Sequence, residues 1–167
     1  MRKIFTLLIV AILATATSWA AEKTILLQNI GESASATSTE SVSQVTVKAS
    51  GTSDSYTLNY FHGKKQDKSI LLAKSTGAFI SHKTPIPGEI QSIKVYINKG
   101  ASGKTTYYCA FTSSVCLEAY NKGCTAVNIA GGQNHTFKNT TVGATYFCIS
   151  LGNANNGQVL SVEITYN

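Results

Sequence analysis

Apolar residues recur at every second position in five separate runs of this chain, and short polar clusters break the runs apart. "SVSQVTVKA" (41–49) carries Val42 and then Val45 and Val47, and "SYTLNYF" (55–61) sets Tyr56, Leu58 and Tyr60 on one face. "IQSIKVYIN" (90–98) sets Ile93, Val95 and Ile97 against Ser92, Lys94 and Tyr96. "ATYFCISLG" groups Phe147, Ile149 and Leu151, and "QVLSVEITYN" groups Leu160, Val162, Ile164 and Tyr166. A period of two places alternate side chains on opposite faces of an extended strand, which no helix can do. The breaks "ASGTSD", "HGKK", "STG", "TPIPG", "NKGASGK", "AGGQN" and "GNANNG" carry turn chemistry. Runs and breaks together predict an all-β antiparallel β-sandwich of about eight to ten strands, each sheet with one wet face.

The ends set the domain organisation. Arg2 and Lys3, an apolar run over 4–13, and small residues Ser18 and Ala20 form the pattern of a signal peptide over residues 1–20. The run is too short to cross a bilayer, which takes about 20 apolar residues, and no other stretch is long enough. The expectation is a single domain over 21–167, secreted or periplasmic, with no membrane span after cleavage and monomeric. Residues 22–54 read as lead-in: a short apolar strand at 25–27, then a Ser/Thr-rich loop over 32–43.

Charge excludes some partners. Two of the 14 basic residues lie in the leader, leaving 12 against 8 acids, and Arg2 is the only arginine. Nucleic-acid readers rely on arginine's bidentate fork, so no nucleic-acid partner is expected. The scattered lysines read as a solvated surface.

The four cysteines, Cys109, Cys116, Cys124 and Cys148, are spaced C-x6-C-x7-C-x23-C. Zinc knuckles pair ligands two to four residues apart, so no metal is expected. An even count in an exported chain reads as disulfides, with three pairings open. Cys116 and Cys124 flank "LEAYNKG", and a bridge there gives roughly 2.6 kcal/mol in the chain-entropy model. That leaves Cys109 with Cys148, worth roughly 3.9 kcal/mol. Parity opposes the second pair. Cys148 alternates with Phe147, Ile149 and Leu151, whereas Cys109 shares a face with Tyr107 and Phe111. A bulge, or an outward Tyr107 and Phe111, would reconcile them.

The pieces "ILLAKSTGAFISHKTPIPGEIQSIKVYINKGASGKTTYYCAF", "AGGQNHTFKNTTVGATYFCISLG" and "GQVLSVEITYN" resemble small β-sandwich modules of secreted and surface proteins of Bacteroidetes. The shared features are a turn into a strand at Gly88, Ile90 and Ile93, a Gly-rich hairpin and a closing strand, over about residues 55–167. The resemblance implies a jelly-roll-like or galactose-binding-like scaffold, often appended to enzymes or adhesins and mostly of unknown function. The four cysteines depart from it.

Catalytic signals are absent from the sequence. The eight acids are scattered, whereas glycosidases need two carboxylates across one bond, and there is no nucleophile elbow or phosphate loop. The expectation is a non-enzymatic binding module for carbohydrate or another surface polymer, without cofactor. Aromatic rings would stack on sugar faces and amides and lysines would reach the hydroxyls. The candidates are Tyr96, Tyr107, Tyr108, Tyr120, Asn121 and Lys122, with Asn153, Asn155 and Asn156 nearby. Tyr120 leads, since a 116–124 staple would fix its pose. The rival class is a structural or protein-interaction component of the cell envelope, for adhesion, matrix or inhibition, meeting a cell-surface protein.

Overall fold

A computed structural model describes residues 21–38, 40–74, 77–101, 103–119, 121–152 and 155–167; the leader reading over 1–20 lies outside the described residues. Twelve strands follow one another: β1 (Lys23–Leu27), β2 (Ser43–Lys48), β3 (Ser55–Phe61), β4 (Gly63–Gln66), β5 (Ser69–Leu72), β6 (Phe79–His82), β7 (Ile90–Ile97), β8 (Lys104–Thr112), β9 (Val127–Ala130), β10 (Asn134–Lys138), β11 (Tyr146–Leu151) and β12 (Gly157–Tyr166). No helix is present among the described residues, and so none long and apolar enough to cross a membrane.

Two six-stranded antiparallel sheets form. One has the order β10-β7-β12-β5-β4, with β1 also on β12; the other has the order β2-β3-β6-β11-β8-β9. The eight strands from β5 onward fall as 5-12-7-10 facing 6-11-8-9. That interleaving is the double Greek key of a jelly roll. β1 to β4 extend it, β4 and β1 on the first sheet and β2 and β3 on the second.

The alternation seen in the sequence positions the core. Ile93, Val95 and Ile97 of β7, Phe147, Ile149 and Leu151 of β11, and Val162 and Ile164 of β12 are buried in one cluster between the sheets. β12 departs from strict parity. A register shift between Val159 and Ser161 opposite β7 turns Val159 inward and leaves Leu160 half-buried, so Leu160 does not share the face of Val162. β1 and β5 then flank different halves of this long strand. The chain leaves β1 through Asn29, which adopts the left-handed region (φ 54°), and Ile30 N donates to the Leu160 carbonyl at 3.0 Å. Gly31 follows where a Cβ would overlap the Ser69 carbonyl, so only glycine fits beside β5.

Three sequence expectations need correction. "HGKK" is no turn: Gly63, Lys64 and Lys65 begin β4, and only His62, at φ 47°, bends the chain between β3 and β4. The strand count is twelve because four-residue strands such as β4 and β9 are too short to show periodicity. The second sheet is also not wet throughout its outer face. Phe79, Ala110 and Cys148 point outward there and are buried beneath Phe61, Cys116, Ala119 and Cys124. Apart from Phe61, which flanks the cluster from β3, residues 113–126 between β8 and β9 supply that cover, with 120 outside the described residues.

Candidate functional site

β9 pairs only with the first half of β8, from Lys104 to Tyr107. Beyond Tyr107, no strand among the described residues lies beside that edge of β8. Across the gap lies β10, the edge strand of the other sheet, paired only with β7. A cleft of about 600 Å³ opens there. β8 contributes Phe111 and Thr112, and the covering segment contributes Lys122 and Thr125. β10 contributes His135 and Phe137, with Lys138, Thr140 and Thr141 at its end.

Alternation along β10 explains the chemistry. Phe137 is buried and His135 half-buried on one face, while Asn134, Thr136 and Lys138 are exposed. The imidazole meets the Phe137 ring edge-on, centroids 4.8 Å apart at 73°, a favoured aromatic geometry. The described lining thus combines aromatic edges, several threonine hydroxyls and two exposed lysines, and contains no carboxylate.

Of the candidates from the sequence, Lys122 lines this cleft. Asn121 is exposed beside it, its carbonyl accepting from Cys124 N at 3.1 Å to close the turn. Tyr120 and Asn153 lie outside the described residues. Tyr107 is not a ligand residue: it is fully buried in the core because it shares the inward face of β8 with Thr105 and Cys109. Burial also pushes its phenol pKa well up. Tyr108 faces out on the second sheet, half-buried near Gly152. Tyr96 stands on the outer face of the first sheet, where its hydroxyl donates to Glu163 Oε2 at 3.0 Å and Lys94 Nζ sits 5.0 Å above its ring. Neither lines the cleft. Asn155 and Asn156 are tied to backbone, Nδ2 of the first to the Lys104 carbonyl at 2.9 Å and Oδ1 of the second to Lys74 N at 2.7 Å.

No disulfide joins the four cysteines. The Cys109–Cys148 pairing is overturned by register. In β8 and β11, Cys148 opposes Ala110 and Cys109 opposes Ile149, so the two thiols point to opposite faces of one sheet. No bulge interrupts the pairing, and Tyr107 and Phe111 both pack inward with Cys109. The Cys116–Cys124 pairing is not bonded either. Cys116 and Cys124 both pack over the outer face against the Cys148 cluster, and Cys124 also lines the cleft with Cys109. The cleft residues Phe111, His135, Phe137 and Lys138 were missed from sequence. Phe111 lies on β8 and the other three on β10, and only the placement of the two strands on either side of the gap between the sheets brings them together.

Fold and cleft define a jelly-roll sandwich with a polar, positively charged edge groove. No protein-family model matches the chain, and no match is found among curated proteins. Among the described residues, no group of three or more His, Cys, Asp or Glu could hold a metal ion.

Proposed function

We propose that the protein is an exported, non-enzymatic binding module whose edge cleft recognises carbohydrate or another surface polymer, with acidic sugars preferred. The observation that carries this is the lining itself: Lys122 and Lys138 flank aromatic edges and threonine hydroxyls, with no carboxylate to repel an acidic ligand. Aromatic edges and hydroxyls suit a sugar ring, and lysine supplies attraction that is sensitive to salt. A lining without carboxylates also lacks the acid pair of glycoside hydrolysis. The leader pattern supports export, and the resemblance to secreted sandwich modules supports a binding role.

The test is an array of neutral, uronic and sulfated glycans. Acidic glycans should bind, weakening as salt rises. Lys122→Glu and Lys138→Glu should each reduce binding at least about tenfold, or ~1.4 kcal/mol. Binding that ignores both substitutions would place recognition elsewhere.

One observation favours the rival reading of a protein partner: Val115 and Leu117 are exposed apolar residues two positions apart on the covering segment. Free monosaccharide separates the readings, since it should compete with a glycan and leave a protein partner bound.

A further inference from the structure

The covering segment is fastened to the sheet at Cys116 and Cys148. On the outer face, neighbouring strands place Asn59, Ser81, Cys148 and Ala110 in one cross-strand row. Asn59, Ser81, Cys148 and Ala110 are all buried. Residues 116–119 lie directly above. Ser81 Oγ donates to the Cys116 carbonyl at 2.6 Å, and Cys148 Sγ lies 3.6 Å from the Glu118 carbonyl. The Cys116 side chain packs against the Phe79, Ala110 and Cys148 cluster, with its Sγ 3.4 Å from Thr112 Oγ1. Cys116 and Cys124 of the covering segment thus both pack against the cluster that holds buried Cys148, each half-buried and reachable from solvent, and it is Cys116 whose neighbours include the Ser81 and Thr112 hydroxyls.

We infer that Cys116 and Cys148 are a reactive dithiol that closes to a disulfide when it meets a small-molecule or protein disulfide. In the first step the Cys116 thiolate attacks one sulfur of the oxidant R–S–S–R. A mixed disulfide forms and RS⁻ leaves, taking a proton to become RSH. In the second, Cys148 loses its proton and attacks the Cys116 sulfur, and the second RS⁻ leaves and is protonated. Two protein thiols are oxidised, one oxidant disulfide is reduced to two thiols, and no other electron acceptor is needed.

The surroundings assign the roles. A hydrogen bond from the Cys148 side chain draws the Cys116 thiol down to about 6, and the Thr112 hydroxyl acts in the same direction. Burial and the Glu118 carboxylate oppose them and are outweighed. Cys116 is therefore largely thiolate at neutral pH and is the attacking sulfur. Cys148 is buried, out of reach of a bulky oxidant, and so resolves. The remaining titratable neighbours are Cys124 and Cys109, whose thiols are both pushed up by burial. Cys124 packs against the same outer-face cluster and also lines the cleft, whereas Cys109 points to the opposite face of β8.

The test is the purified protein equilibrated with oxidised glutathione, alkylated and digested with trypsin and chymotrypsin. Cleavage after Phe111 separates Cys109 from Cys116, so each linkage is distinct. A linked peptide joining Cys116 to Cys148 is expected. In Cys148→Ser the mixed glutathione adduct should persist on Cys116, and in Cys116→Ser no adduct should form on Cys148. Cys116 alkylation in the reduced wild type should be half-maximal near pH 6, and at higher pH in Cys148→Ala, which removes the donor. Linkage of Cys116 to Cys124 or Cys109, linkage of Cys148 to Cys124, or all four cysteines remaining alkylatable would overturn the inference. The pH profile is read on folded reduced protein, so a variant that fails to fold leaves the wild-type result decisive.

Discussion

His82 shows what one side chain can impose. It points inward from β6, fully buried, between Tyr56 and Phe147. Its Nδ1 pairs with the Thr84 carbonyl. A carbonyl can only accept, so Nδ1 carries the proton and Nε2 is the bare nitrogen. Nε2 is buried with no partner among the described residues, and protonating it would bury a charged donor with no acceptor there. Burial accordingly pulls the imidazole pKa below its ordinary 6.5, outweighing the bond to Thr84. The unfolded chain then binds more protons than the folded one as pH falls below about 6.5. Stability is full above that value and declines as pH drops through the folded-state pKa. Urea unfolding should show a lower midpoint at pH 5 than at pH 7, and His82→Gln should flatten that dependence. An unchanged dependence in the variant would assign it to other groups.

At the scale of elements, parity was legible in the sequence wherever a strand was long. β7 and β11 carry the inward faces that alternation indicates, and the same rule makes a sharp contrast in β12. Ile164→Ala should cost about 2–5 kcal/mol through the cavity it leaves between the sheets. Thr165→Ala, half-exposed on the other face, should stay within about 0.5 kcal/mol. Denaturant midpoints of the two variants would check this; similar losses would mean that the face assignment fails. Alternation did not show the Leu160 irregularity, because a bulge is decided by pairing with β7 and leaves no local mark. Nor did it show that Cys148 and Ala110 are buried. A strand records which face a residue takes, but what covers that face depends on a segment elsewhere in the chain. For that reason Cys148 read as wet and its natural neighbour, Cys116, was assigned to Cys124.

At the scale of the whole molecule, the jelly roll was within reach of sequence as a class, and its strand order was not. The cleft depends on that order. Lys122 could be nominated because polar loop lysines are ordinary candidates, whereas His135 and Phe137 become site residues only once β10 lies at the edge facing β8. The topology also makes the covering segment long-range in effect. A Cys116–Cys148 bond would close a loop spanning most of the second half of the jelly roll, worth about 3–4 kcal/mol in the chain-entropy model. Oxidised protein should therefore outlast reduced protein in guanidinium by a margin of that order. Coincident transitions would show that the segment adds little constraint to the unfolded chain.

The covering segment begins on the outer face at Cys116 and ends in the cleft at Lys122 and Thr125. The sulfur chemistry and the ligand contact proposed above would thus be held by the same few residues. Thermodynamic reciprocity then ties them: if closing the dithiol alters ligand affinity by some factor, an occupied cleft must alter the dithiol's redox equilibrium by that factor. A protein that left its reducing compartment would, on this account, have its affinity set in transit, and a captured ligand would in turn protect or expose the bond.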